Sequence, residues 1–139
     1  MAAFTKFQPF VENLAEKVFN LGADTLKVAL TNTSPTNTFN QLSSVTQIAG
    51  TGGYTTGGTA TTITSSAQTS GTYKLVITDV VFTSSSTMGP FEWAVLYDDT
   101  STNDELIGNW DYGSAVTLAS SGDTFTVDFD GTNGVLTIT

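Results

Sequence analysis

The residues of this chain best suited to chemistry are carboxylates within one short stretch. Glu92, Glu105 and Asp111 all lie between Pro90 and Gly113, and a pair of carboxylates is what a glycosidase uses to hydrolyse its substrate. The chain has no histidine and no cysteine, which excludes Ser-His-Asp and Cys-His triads and zinc sites of the ordinary type. Glu92 falls on the polar side of its strand pattern, and no carboxylate has the obviously apolar sequence setting that tunes a catalytic acid. The sequence therefore predicts a protein without enzymatic activity.

Calcium is the one metal that these acids could suit. Asp128, Asp130 and Asn133 match part of an EF-hand loop, but Thr126 stands where the first aspartate belongs and no glutamate closes the loop. A second group of acids lies at residues 98–105. Acidic residues are common in β-turns that bind no metal, so we expect neither a metal nor another cofactor.

The carboxylates between Pro90 and Gly113 lie within the strongest strand pattern of the chain, which must position them. Large apolar residues alternate with other residues along both halves of it: Phe91, Trp93, Val95 and Tyr97, then Leu106, Trp110 and Tyr112. This period-2 pattern predicts a β-hairpin with one face inward and an acidic tip at residues 98–105. We expect Trp93 and Trp110 to be largely buried.

The N-terminal segment has a different periodicity. Apolar residues recur at three- and four-residue steps from Phe7 to Leu21, with Pro9 near the start and Gly22 after the end. This pattern predicts an amphipathic α-helix at about residues 7–21.

The pattern of the remaining chain predicts short strands separated by glycine-rich turns. One strand begins at Leu26, and Tyr73–Phe82 is apolar on both faces, which indicates a central strand or one bulged near Asp79. Seven or eight such strands predict an all-β protein, a β-sandwich of jelly-roll or Greek-key type with one N-terminal α-helix. Its length suits one domain covering residues 1–139.

The charge distribution limits the possible partners. The formal net charge is −9, all four basic residues are lysines, and every charged residue from Asp79 onward is acidic. Nucleic acids and anionic membranes both need a cationic surface, so we expect neither as a partner. No apolar run approaches the roughly 20 residues of a membrane span, and the N-terminus lacks a secretory-signal pattern. A basic protein surface would attract this chain.

Sequence strings along nearly the whole chain carry a family resemblance. They are KFQPFVENLAEKVFNLGADTLKVALTN, GTGGYTTGGTA, SAQTSGTYKLVITDVVFT, GPFEWAVLYDDT, LIGNWDYGS and FTVDFDGTNGVLTIT. In this order they resemble a family of small virion structural proteins of tailed bacteriophages. The resemblance implies a structural setting and no catalytic residues, and it does not specify the position in the particle.

The resemblance implies, first, a capsid decoration or cement protein. Such a protein is made in the host cytoplasm, binds the virion exterior, and contacts major capsid protein and copies of itself as a homo-oligomer. A tail or baseplate component and a receptor- or glycan-binding module remain alternatives, the last disfavoured by the inward-alternating tryptophans.

Two segments have no clear place in a two-layer sandwich. They contain Phe4 and Lys6 near the N-terminus, and Phe39 and Leu42 in the long polar passage after the first strand. Ordering such segments costs conformational entropy that a buried interface would offset. We therefore expect these four residues to contact another chain.

Overall fold

The computed structural model describes residues 2–139, which contain ten β-strands and one short α-helix. Strands account for 45% of the residues and helices for 7%. In chain order the elements are β1 (Phe4–Lys6), α1 (Phe10–Ala15), β2 (Leu26–Thr31), a 3-10 turn (Leu42–Ser44), β3 (Thr59–Ala60), β4 (Ile63–Thr69), β5 (Thr72–Ile77), β6 (Val80–Thr83), β7 (Met88–Asp98), β8 (Leu106–Leu118), β9 (Thr124–Val127) and β10 (Leu136–Ile138).

Three antiparallel sheets enclose the main hydrophobic core. The largest has the strand order β1-β8-β7-β2-β3, and the smaller two have the orders β10-β5-β4 and β6-β9. Buried residues from all three sheets pack in a single cluster, which includes Leu30, Leu75, Val80 and Leu96. The predicted all-β, sandwich-like fold with one N-terminal helix is confirmed.

The apolar segment Tyr73–Phe82 is divided between two sheets. Its first half is β5 in the three-stranded sheet, and its second half is β6 in the two-stranded sheet. At the break, Asp79 Oδ1 accepts a hydrogen bond of 2.8 Å from the Phe129 N–H. The interruption near Asp79 is thus a change of sheet, which explains why both faces of the segment are apolar.

The helix is shorter than the predicted range of residues 7–21. It begins at Phe10 and ends at Ala15. The Phe7 N–H donates to Ile107 O at 3.2 Å, so Phe7 still belongs to the extended N-terminal segment. Lys17 has φ 65°, a left-handed conformation that no α-helix continues through. The apolar residues of positions 7–21 instead pack in two separate cores, since Phe7 and Phe10 lie in different clusters.

The predicted hairpin is present as β7 and β8, but its two faces are not the expected ones. Leu96 pairs with Gly108 and Tyr97 with Leu106, which leaves Ile107 as an extra residue in β8. A larger irregularity places residues 112–115 of β8 opposite Glu92 alone. Each bulge shifts the alternation, so both faces of the hairpin carry buried apolar residues.

The two tryptophans, both expected to be largely buried, pack differently. Trp93 and Trp110 are each only partly buried. Trp110 packs against the main core, with its ring centroid 5.2 Å from those of both Phe4 and Phe129. Trp93 is absent from both sets of core residues.

A second, smaller core covers the outer face of the five-stranded sheet. It consists of Phe7, Ala29, Leu42, Val45, Val95, Tyr97 and Leu106, with Phe39 packed against it. Part of this core comes from the long polar passage after β2. A hydrogen bond from Thr31 Oγ1 to Thr46 O attaches this passage to the end of β2. This passage therefore has a place in the fold, contrary to the expectation from its sequence.

Candidate functional site

The four residues expected at an interface fall on two different faces of the five-stranded sheet. Leu42 is 8% exposed and Phe39 is half-buried, and both belong to the second core. Leu42 is therefore part of the chain's own interior, contrary to the expectation that its segment has no clear place in the sandwich. Phe4 and Lys6 lie in β1, where Phe4 packs against the main core and Lys6 is exposed. That any of them contacts another chain stays a prediction.

Strand β1 lies at an edge of its sheet and exposes one side. It pairs with β8 alone, while β10 is likewise the terminal strand of its own sheet. A surface depression of about 450 Å³ lies between the two edges, lined by Phe4, Lys6 and residues 133–137. Successive N–H groups of a strand point to opposite sides. Because the Phe7 N–H is bonded to Ile107 O, the Lys6 N–H points to the open side.

A second depression, the aromatic cleft, opens between the β7–β8 hairpin and β9. Its volume is about 380 Å³. Leu30, Ala94 and Val127 contribute aliphatic side chains to it, and Leu30 and Val127 are also members of the main core. The cleft thus reaches from the surface to the apolar interior of the sandwich.

Five aromatic residues line this cleft: Phe91, Trp93, Trp110, Tyr112 and Phe125. Three of their rings support one another. The Phe125 ring meets Phe91 edge-on at 4.9 Å and Tyr112 edge-on at 5.4 Å. Edge-to-face packing of this kind holds rings in a defined orientation. Tyr112 is nevertheless 58% exposed, so one of these rings is open to a ligand.

The bulge in β8 places Tyr112 at the cleft. Gly113, the next residue, has φ 89°, which favours glycine, and its N–H donates to Asp111 Oδ1 at 2.7 Å. Bulges commonly re-aim a side chain in this way. The strand pattern did not indicate the cleft, because period-2 alternation places these aromatic residues in the core. The glycine directly after Tyr112 was the available signal that the strand pattern breaks there.

The polar part of the cleft is acidic. Glu92, Thr126 and Asp128 line it, and no lysine does. Across the described chain the ion pair found is that of Lys27 with Asp99, 2.9 Å apart, so neither Glu92 nor Asp128 is paired with a base within residues 2–139. Two carboxylates without a counter-charge from residues 2–139 make this cleft attractive to a cation.

The three carboxylates considered for glycosidase chemistry are not all brought together, although Asp111 lies opposite Trp93, the residue next to Glu92. Tyr97 lies five positions after Glu92 along β7 and pairs with Leu106, which is next to Glu105. At about 3.3 Å per residue this is roughly 16 Å, longer than the 5–9.5 Å or so between the carboxyls of a glycosidase pair. Asp111 holds the bulge, and Glu105 accepts a hydrogen bond of 2.9 Å from Asn103 Nδ2.

The acids considered for calcium are engaged locally. Asp130 Oδ1 accepts hydrogen bonds from the N–H groups of Thr132 and Asn133, at 2.8 and 2.7 Å, and so closes its own turn. Within residues 2–139, no three His, Cys, Asp or Glu side chains are grouped as metal ligands.

The hairpin tip contains a buried acid. Asp98 is fully buried, and its Oδ1 accepts hydrogen bonds from the N–H groups of Thr100 and Ser101, at 2.8 and 3.2 Å. Its Oδ2 has no hydrogen-bond partner in the described part of the chain. Burial, together with the nearby Asp24 carboxyl, raises the pKa of Asp98 to about 7.

None of the helices described for residues 2–139 has the length and apolar character needed to cross a membrane. No protein-family model, curated protein or solved structure matches the chain.

Proposed function

We propose that this protein is a structural protein of tailed-bacteriophage virions that decorates the capsid exterior. Each copy would bind between neighbouring subunits of the major capsid protein, and also contact other copies, so that it opposes separation of the shell. Support comes from the resemblance along nearly the whole chain and from the all-β sandwich-like fold. A tail or baseplate position is the alternative within the same class.

The observation that carries the proposal is the pair of open strand edges. The free side of β1 lies beside the free side of β10, across the depression lined by Phe4, Lys6 and residues 133–137. An unpaired edge presents N–H and C=O groups that can add a strand from another chain. Such pairing supplies main-chain hydrogen bonds, which suits a protein whose role is to hold its neighbours together.

The charge of the chain favours a basic contact surface on the partner. Ten acids and no base follow Lys74. A partner with a positive surface would be drawn to this half by long-range attraction, and the association would weaken as salt is added.

A substitution at Lys6 tests the edge directly. Lys6→Pro removes the outward N–H of β1, while leaving the inward N–H groups of its neighbours in place. Lys6→Ala removes the same side chain and keeps the N–H, so it is the matched control. Purified protein is added to particles that lack it, and the bound fraction is measured by sedimentation. We expect Lys6→Pro to bind at least about tenfold more weakly than Lys6→Ala, the loss from one or two well-formed hydrogen bonds.

Equal binding by the two variants would show that the β1 edge is not the interface. Stronger binding by Lys6→Ala than by the parent would indicate that Lys6 guards the edge against pairing. Electron microscopy of intact particles then locates the chain, and density on the tail instead of the shell would replace the decoration role with the tail component.

A further inference from the structure

We propose that the aromatic cleft binds an arginine side chain presented by a partner protein. The inference stands on the composition of the cleft itself and does not depend on whether the partner is a capsid shell. It assigns a role to Trp110, which is half-buried, and to Tyr112, which is exposed. The packing of the core does not require either side chain to be accessible.

The depth and lining of the cleft suit the stem of a long side chain. Leu30, Ala94 and Val127 make its inner part apolar. An arginine buries its methylene groups against such a surface while its charged head stays near water. A neutral saccharide fits less well, because its hydroxyl groups would meet this apolar part without hydrogen-bond partners.

The outer part of the cleft suits the guanidinium group. Trp110 and Tyr112 line it, and guanidinium groups stack on aromatic rings of this kind by cation–π attraction. Glu92 and Asp128 also line the cleft, and carboxylate oxygens accept hydrogen bonds from the N–H groups of arginine. No lysine lines the cleft to compete for them. Aromatic faces and unpaired carboxylates together select a planar cation.

The arginine must come from a different protein. This chain has four basic residues, and all of them are lysines. A second copy therefore cannot supply the guanidinium group, so the cleft is a site for a heterologous contact.

The test uses a short probe peptide and the full-length chain. Acetyl-Gly-Arg-Gly-amide is titrated into isotope-labelled protein, and the indole N–H signals of Trp93 and Trp110 are followed by nuclear magnetic resonance. The same peptide with citrulline in place of arginine has nearly the same shape and no charge. We expect saturable shifts of the Trp110 signal with the arginine peptide, and binding weaker by about tenfold with the citrulline peptide, as for a partly exposed cation–π and ion-pair site. Added salt should weaken the arginine peptide most.

Variants of the lining separate the cleft from general charge attraction. Glu92→Gln and Tyr112→Ala should each weaken binding of the arginine peptide several-fold. Glu12→Gln is the matched control, because Glu12 is exposed on α1 and loses the same charge. It should bind like the parent. Circular dichroism of each variant checks that the fold is retained, and Glu92→Gln keeps the test valid if Tyr112→Ala does not fold.

Three results would overturn the inference. Equal binding of the arginine and citrulline peptides would show that the cleft does not select a cation. Equal weakening by Glu12→Gln and Glu92→Gln would show attraction to the whole acidic surface. Shifts of the Trp110 signal with cellobiose but not with the arginine peptide would show that the cleft takes a saccharide. Loss of particle binding in Lys6→Pro bears only on the proposed virion role, so the two failures are distinguishable.

Discussion

Replacing Asp98 with asparagine should change how stability depends on pH. Asp98 is fully buried at the end of β7, and only its Oδ1 has donors, namely the N–H groups of Thr100 and Ser101. Burial, together with the Asp24 carboxyl, raises the pKa of Asp98 from 3.8 to about 7. The folded protein thus holds a proton on Asp98 at pH values where the unfolded chain has released it.

The sign and size follow from this difference in bound protons. Below about pH 4 both states are protonated at Asp98, and above about pH 7 both are ionised. Between these values the folded state binds up to one more proton than the unfolded state. The free energy of unfolding therefore falls by up to ~1.4 kcal/mol for each unit by which the pH is raised. The total cost of ionising Asp98 in the folded protein is therefore on the order of a few kcal/mol.

Asparagine removes this dependence and keeps most of the local contacts. Its Oδ1 can still accept from Thr100 and Ser101, and its amide can donate towards Asp24, as the protonated acid would. The stability of Asp98→Asn relative to the parent should rise as the pH is raised from about 4 to about 7, and then level off.

Urea unfolding across this pH range measures the effect. The useful quantity is the difference between the unfolding free energies of Asp98→Asn and the parent, because the other carboxyls largely cancel in it. Asp128→Asn is the matched control, since it removes the same charge at an exposed position. If the Asp98→Asn difference is constant across the range, Asp98 is ionised in the folded protein and the reasoning is refuted.

Three further substitutions test the packing. Gly108→Ala would bring a Cβ into overlap with the Phe4 ring; we expect a loss of about 1–3 kcal/mol by urea unfolding, and a much smaller loss when Phe4→Ala is the background. Leu42→Ala should cost about 2–5 kcal/mol and expose residues 33–48 to limited proteolysis, and an unchanged cleavage pattern would contradict the second core. Trp110→Ala should cost about 3–5 kcal/mol and clearly more than Trp93→Ala, and equal losses by thermal unfolding would show that the two rings are equally buried.

Local patterns in the sequence predicted the elements that depend on local alternation. The strand at Leu26 and the hairpin of β7 and β8 follow from period-2 spacing, and each is present. Spacing succeeds here because a strand buries alternate residues wherever it lies. For Tyr73–Phe82 the apolar pattern left a central strand and a bulge near Asp79 as alternatives, and the segment instead passes from one sheet to another. The acidic character of the C-terminal half is likewise a property of composition alone. The function inferred from resemblance stays a prediction.

The tertiary structure decided which residues face which core. The apolar spacing from Phe7 to Leu21 predicts a long helix, yet the helix covers only Phe10–Ala15. Phe7 is buried in a different cluster from Phe10, and the chain leaves the helical conformation at Lys17. The bulges at Ile107 and residues 112–115 exchange the faces of the hairpin and open the aromatic cleft. Periodicity shows which residues share a face, but a bulge resets it, and the free energy that favours a bulge comes from burial against strands distant in sequence.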